Sequence, residues 1–419
     1  MTGAVATAAR EALAEACDGR VDDAGATDLV GATAPRWVVR PTSTAEVAAV
    51  MHAAHQHDLA VVVRGSGTKL AWGRDPERLD LLLDTTGLDA LVEHASGDLI
   101  AVVGAGRHLA DLQDDLAGAG QRLGVDPARA GTVGGAVATA ATGPMRLAHG
   151  AVRDLVIGMT IVRADGVVAH SGGKVVKNVA GYDLGKLLTG SFGTLGVVTE
   201  VAFRLHPVPA GRTWVTSGVS SPVVVRGVVR SLVHSQVVPS AVELDRPAGA
   251  DGCVVSVLLE GHPEGLDARA AEVESLLGHG ATCTSEPPPW WGREPGVDED
   301  RGALLKVTHE LAALPHVLDA LTRAESVTGR EAAFRGSVAV GTAAVAVDGT
   351  AEEVAELTTA LRASAPGFGG AVVLLEGPPG TTDLVDPWGP VGGLGLMQAV
   401  KQQFDPGRQL APGRFVGGI

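Results

Sequence analysis

Apolar positions over the first two hundred residues alternate between short β-branched runs and Ala/Leu-rich stretches of helical period. Val5 to Cys17 reads as a weakly amphipathic helix, and Trp37 to Arg40 as a strand closed by Pro41. A helix from Ala45 to His57 follows Thr42-Ser43-Thr44, where Glu46 stands three residues after Ser43, the spacing of a capping box. Leu59 to Val63 and Leu99 to Val103 read as strands, and Leu109 to Leu116 as a helix. Small residues from Ala136 to Ala141 predict a further helix, stopped by Gly143-Pro144. Runs at Ile157 to Val162 and Val167 to His170 flank Asp165-Gly166, a hairpin signal because Gly tolerates positive φ. The segment LGKLL from Leu184 has helical character, and Val197 to Val201 is strand-like.

After Pro209 the same alternation occurs twice. Strand Trp214 to Gly218, helix Val223 to His234, strands Ser240 to Asp245 and Val254 to Glu260, and helix Leu266 to Leu277 make one half. Strand Leu304 to Val307, helix Pro315 to Val327, strands within Arg335 to Val347, helix Ala351 to Ser364 and strand Ala371 to Glu376 make the other. Two such halves predict a small antiparallel sheet with helices on one face. Between them Pro287 to Gly292 reads as a loop with paired tryptophans, and helix Leu394 to Phe404 precedes a closing segment, FDPGRQLAPGRF.

Composition narrows the picture. At 419 residues the chain exceeds one ordinary core. A net charge of −15 argues against a nucleic-acid binder, though backbone amides and local cations can still hold an anionic ligand. Cys17, Cys253 and Cys283 are odd in number and far apart, without CxxC spacing, so neither a disulfide frame nor a zinc or iron–sulfur site is expected. Reduced cytoplasm is the expected compartment. No run of about 18 or more apolar residues predicts a membrane span.

The 57 glycines concentrate informatively in three segments. Arg64-Gly65-Ser66-Gly67-Thr68-Lys69 follows a strand, and glycines at alternate positions can turn successive N–H groups toward an anion; an ordinary turn has the same pattern. It is not a Walker loop, because Leu70 follows Lys69. GTVGGAVATAATGPMRLAHGAVRD, from Gly131, opens its small-residue helix with Gly134-Gly135, suiting either an anion at the first turn or close helix-on-strand packing. GGKVVKNVAGYDLGKLLTGSFGTLGVVTE, from Gly172, contains Lys174, Lys177 and the single tyrosine, Tyr182. Gly104-Ala105-Gly106 begins like a dinucleotide fingerprint, but Leu109 occupies the position of its third glycine, so a Rossmann site is not expected.

KNVAGYDL followed by GSFGTLGVVTE resembles the PCMH-type FAD-binding domain of the vanillyl-alcohol oxidase family. More narrowly, it resembles the FAD-binding E-type subunits of bacterial glycolate oxidases. The resemblance implies an α+β fold: a two-subdomain FAD-binding domain over residues 31–209, after an N-terminal helical segment (1–30). A smaller α+β cap domain (210–380) follows, with a C-terminal segment (381–419) packing back on the FAD domain. It implies FAD contacts from Arg64, Gly65, Ser66, Gly67, Thr68 and Lys69; from Gly134, Gly135, Thr139, Gly143, Gly150 and Asp154, with Arg153 in the same turn; and from Lys177, Asn178, Gly181, Tyr182, Gly196 and Val197. The first loop lacks the histidine or cysteine that attaches flavin covalently in some members, so non-covalent FAD is implied. Ala411 stands where such chains usually carry Asn before the last Pro-Gly.

Catalytic relatives acting on 2-hydroxy acids carry paired cap histidines on a metal, in motifs resembling HxGDGN and GEHG, and neither motif occurs here. No metal site and no identifiable catalytic residue are therefore expected. The expected role is an FAD-binding subunit working with a catalytic flavoprotein and an iron–sulfur subunit. The small 2-hydroxy acid is then oxidised on the partner, and any attachment to the inner membrane face is made through partners. A self-sufficient hydroxy-acid oxidase or dehydrogenase is the alternative. A non-catalytic assembly scaffold is the alternative of another class.

Overall fold

A computed structural model describes residues 3–173, 182–278, 280–296 and 302–419. Lys174, Lys177, Asn178 and Gly181 therefore lie outside the described residues.

Helices Gly3–Ala16 and Thr44–Gln56 pack against a four-stranded sheet in the order Val21–Asp23, Trp37–Val39, Leu81–Asp84, Val61–Arg64. The last three strands run parallel. Their residues are buried at almost every position, as expected of parallel strands covered on both faces. The predicted cap on the second helix is present: the Ser43 side chain accepts from the Glu46 N–H, while the Glu46 carboxylate accepts from the Thr42 N–H. A second, antiparallel sheet has the order Leu91–Ala95, Ile100–Gly104, Val197–Arg204, Val156–Val162, Val168–Gly172. Helix Leu109–Ala117 buries Leu109, Leu112 and Leu116 on it, a scaffold role.

The cap is one continuous antiparallel sheet of eight strands. Its order is Thr282–Thr284, Gly211–Val219, Cys253–Gly261, Ala241–Arg246, Ala332–Ser337, Thr342–Asp348, Gly302–Thr308, Ala371–Glu376. The two halves visible in the sequence each contribute four strands and are joined by pairing of Ala241–Arg246 with Ala332–Ser337. This pairing removes an open edge from each half, so the sheet is larger than either half suggests. Helices Pro222–His234, Pro263–Leu277, Leu314–Thr328 and Ala351–Ser364 cover one face with a continuous apolar core. The other face carries polar residues and turns toward the two N-terminal sheets: Arg122 bridges to Glu260, and Arg129 to Glu376.

The C-terminal segment returns to the first sheet. Val61 donates to the Gln409 carbonyl and Ala411 to the Val61 carbonyl, a parallel bridge beside Leu410. Ala411 has φ +46°, the left-handed region that asparagine tolerates better than alanine. Among the described residues, no helix is long and apolar enough to cross a membrane.

Candidate cofactor site

Strand Val61–Arg64 ends where the first glycine segment begins, and the loop after it lies against residues 131–132. A Cβ on Gly65 would stand 2.1 Å from Thr132 Oγ1, and one on Gly131 would stand 3.0 Å from Thr68 Oγ1. Gly67 has φ +79°, which L side chains rarely adopt. Thr132 caps the short helix Val133–Ala138, its hydroxyl accepting from the Gly135 N–H. The third segment is stitched to the end of this helix: Gly190 donates to the Val137 carbonyl and Phe192 to the Ala138 carbonyl. Phe192 itself has φ +61° between the positive-φ glycines Gly190 and Gly193.

These three stretches enclose an open cleft of about 810 Å³, floored by Val63, Thr85, Ala138 and Val198. Its walls include the loop Arg64–Leu70, Gly134, Gly135, Thr139, Ser191, Gly193 and Gly196. Arg414 closes one side from the far end of the chain. Its guanidinium donates to the carbonyls of Leu70, Trp72 and Arg74 and lies over the Phe192 ring. Burial lowers the Arg414 pKa to about 10. Arg64 is held by Asp28 and Asp84, so its charge positions the loop. Burial likewise pulls the Lys69 ammonium below the ordinary lysine range; its Nζ donates to the Arg129 carbonyl.

Two properties fit a large, flat, doubly phosphorylated cofactor. The walls are largely main chain, because side chains are missing where they would fill the cleft or clash. In addition, the amide N–H groups of Ser66, Gly67, Thr68 and Lys69 have no acceptor among the described residues, leaving a run of donors for phosphate oxygens.

Of the residues implied by the resemblance, Arg64 to Lys69, Gly134, Gly135, Thr139 and Gly196 line this cleft. Others do not. Gly143 lines a neighbouring chamber, and a Cβ there would stand 2.0 Å from the Asp126 carbonyl oxygen. Gly150 has φ +84°, and the Asp154 carboxylate accepts from the Ala151 N–H; both serve their own turn. Val197 points into the core, while Val198 faces the cleft. Tyr182 is 94% exposed. Thr85 and Arg414 lie outside the glycine-rich segments, whereas Gly131, Thr132, Ser191 to Gly193 and Val198 fall within them without being among the contacts the resemblance implies. Thr132 carried a readable signal as a helix-capping residue before Val133.

Residues 35–172 match the family model described as an FAD binding domain. The chain is 32% identical over 216 residues to the glycolate oxidase subunit GlcD of Bacillus subtilis, a match covering 51% of this chain and 46% of that protein. It is 38% identical over 171 residues to a D-lactate dehydrogenase of Archaeoglobus fulgidus, covering 41% and 38%. It is also 38% identical over 152 residues to the glycolate oxidase subunit GlcE of Escherichia coli, covering 36% and 43%. The matches thus span less than half the length of these relatives. Among solved structures, p-cresol methylhydroxylase superposes with a TM-score of 0.76 at 16% identity, over 99% of this chain and 97% of that one. Alkyldihydroxyacetonephosphate synthase superposes at 0.71 and 17% identity, over 94% and 82%.

Residues 35–172 are an FAD-binding domain, the chain shares the α+β fold of p-cresol methylhydroxylase, and its cofactor is FAD. Its named relatives are glycolate oxidase subunits and D-lactate dehydrogenases.

Proposed function

We propose that this protein is an FAD-dependent oxidoreductase of the glycolate oxidase and D-lactate dehydrogenase type. It serves as the non-covalent FAD-binding subunit of a complex that oxidises a small 2-hydroxy acid. The observation that carries the reading is the cleft walled by three glycine-rich segments, with amides at Ser66 to Lys69 that have no acceptor among the described residues. Bound FAD would supply a two-electron acceptor; the protein's part is to seat it, orient it and set its surroundings. The loop amides would take the pyrophosphate, and the missing side chains at Gly135 and Gly196 and the short one at Thr139 would let the flat ring system lie against the main chain.

Non-covalent attachment is supported by where the cysteines lie. Cys17 is buried against the first sheet, and Cys253 and Cys283 belong to cap strands. The subunit role is supported by the similarity to glycolate oxidase subunits. The test is to purify the full chain, record its flavin spectrum, and precipitate the protein with acid. A yellow supernatant and a colourless pellet are expected. Co-expression with a glycolate oxidase-type flavoprotein and an iron–sulfur protein should give a co-purifying assembly with higher glycolate turnover than this chain alone. A chain without flavin absorbance would leave the scaffold alternative.

A further inference from the structure

Arg64 opens the first glycine segment, and both ends of its guanidinium are already engaged. Nη1 donates to Asp28 Oδ1 at 2.8 Å and Nη2 to Asp84 Oδ2 at 2.9 Å. The three side chains keep 8–16% exposure. Asp84 is the register partner of Arg64 on the neighbouring strand, so its place is set by the sheet. Asp28 has no such anchor. It comes from a turn at residues 24–33, before residue 35, where the FAD-binding domain begins.

That turn holds its carboxylate in place. Asp28 Oδ2 accepts from the Gly25 N–H at 2.9 Å, which leaves Oδ1 for Arg64. Val30 and Thr33 close the turn by exchanging main-chain hydrogen bonds. The turn meets the connection from Arg64 to Pro76 at two further places. Val30 is fully buried in the small core against which Leu70 packs. The Ala32 N–H donates to Asp75 Oδ2, and a Cβ on Gly31 would stand 1.7 Å from Asp75 Oδ1. The loop is therefore gripped at its start, middle and end by residues 24–33, while Arg414 ties its carbonyls from the other end of the chain.

Two carboxylates against one guanidinium leave no spare positive charge at Arg64. Arg40, 3.6 Å from the same Asp84 oxygen, has its own closer partner in Asp22 at 2.8 Å. Attraction for a pyrophosphate then falls to Lys69 and to the amides of Ser66 to Lys69, which act together only while the loop keeps them aligned. Gly65 and Gly67 open many other conformations to that loop. A binding-competent state that is populated only in part weakens apparent affinity in proportion. We infer that Asp28 is a positioning residue for the cofactor: acting through Arg64, it holds the first glycine loop in the form whose amides meet the pyrophosphate, without touching FAD itself. The inference rests on reading the cleft as the flavin seat.

The experiment takes the full chain, freed of flavin, and titrates it with FAD by the quenching of flavin fluorescence, well below the melting temperature of every variant. Asp28→Asn keeps an acceptor for the Gly25 N–H and removes the charge. It is expected to bind FAD about tenfold more weakly, the scale of one charge-assisted hydrogen bond. Arg64→Met should lose at least as much, and the double variant should bind no more weakly than Arg64→Met alone. Tighter binding in Asp28→Asn overturns the inference, because Arg64 would then be a phosphate ligand that Asp28 had restrained. Unchanged affinity with a lowered melting temperature overturns it too, leaving Asp28 a structural role only. So do losses that add in the double variant, which mean that Asp28 does not act through Arg64. A parent that takes up no FAD, or a Gly135→Val variant that binds it as the parent does, overturns the reading of the cleft and the inference with it. Affinity lost in Gly135→Val but unmoved in Asp28→Asn overturns the inference alone.

Discussion

Gly65, Gly134 and Gly135 lie within one turn of each other in space, yet a side chain would do a different thing at each. At Gly65 a Cβ would collide with Thr132, and at Gly134 it would stand 2.9 Å from the Ala105 Cβ, so both absences serve packing. At Gly135 a Cβ would approach only Thr132 Oγ1, at 3.2 Å, and further atoms would enter the cleft. Gly135→Val is therefore the discriminating substitution. It should abolish FAD retention while the far-ultraviolet spectrum and the cap's melting stay as in the parent; a variant with its full flavin complement would displace this segment from the site. Glu243 gives a second residue-scale prediction. Its burial, which outweighs the hydrogen bond from Ser337, raises its pKa from 4.5 to about 8, with Asp126 adding to the rise. Between those two values the folded chain holds a proton that the unfolded chain releases, so stability falls as pH rises through that window. Asp126, raised by burial to about 7, acts with the same sign. Glu243→Gln should reduce the loss of urea stability between about pH 5 and about pH 8, leaving the share due to Asp126. An unchanged pH profile would mean that Glu243 is ionised in the folded chain.

At the scale of elements, the sequence reveals most where one physical constraint acts alone. The Asp165-Gly166 turn, the capped helix Thr44–Gln56 and the repeated strand–helix halves of the cap are all local patterns, and all appear in the fold. Legibility ends where a side chain's direction or a distant partner decides. In strand Val197–Arg204 successive residues point to opposite faces, so Val197 enters the core and Val198 meets the cleft. No glycine motif carries that parity. Arg414 could not be read as a wall of the first loop, because the return of the C-terminal segment brings it there. That return is held by Lys401 of helix Leu394–Phe404, whose Nζ donates to Asp405 Oδ2 and to the carbonyls of Thr194 and Leu410. The two side chains are 6% and 0% exposed. Removing one partner leaves the other charged and buried, so Lys401→Met should cost about 3–5 kcal/mol in chemical denaturation. Replacing both residues with apolar ones should cost less, although Asp405 also accepts from the Gln409 and Leu410 amides. A single substitution costing no more than an exposed pair would show that the segment is held by its apolar contacts instead.

At the scale of the molecule, the cofactor-side sheets and the cap meet through charged bridges and a small apolar cluster of Met145 with Trp214, Ala241 and Leu258, and Arg129 is the pivot of the charged set. Its guanidinium donates to both oxygens of Glu376, on the cap's last strand, and to Glu294 at 2.5 Å. Trp72, beside the first glycine loop, donates from Nε1 to the same Glu376. Against the lowering effect of burial, these carboxylates hold Arg129 above its ordinary range. The side chains retain 22–28% exposure, so the pairing belongs between a surface bridge and a buried one, about 2 kcal/mol. The same contact edges the chamber that adjoins the flavin cleft, so it sets the spacing between the loop and the cap sheet. Arg129→Ala leaves two carboxylates facing each other and removes the tie on the loop. The parent should melt in one calorimetric transition with flavin release. The variant should melt in two, with flavin released in the earlier one and the cap, whose core of helices on sheet is untouched, in the later. Glu376→Gln, which keeps one oxygen that Trp72 and Arg129 Nη1 can share but sets an NH2 donor against Arg129 Nη2, should lie between them. Were the variant to melt in one transition at the parent's temperature, the Arg122–Glu260 and Arg74–Asp386 bridges, the apolar cluster of Met145 with Trp214 and the C-terminal strap would be what joins the two parts.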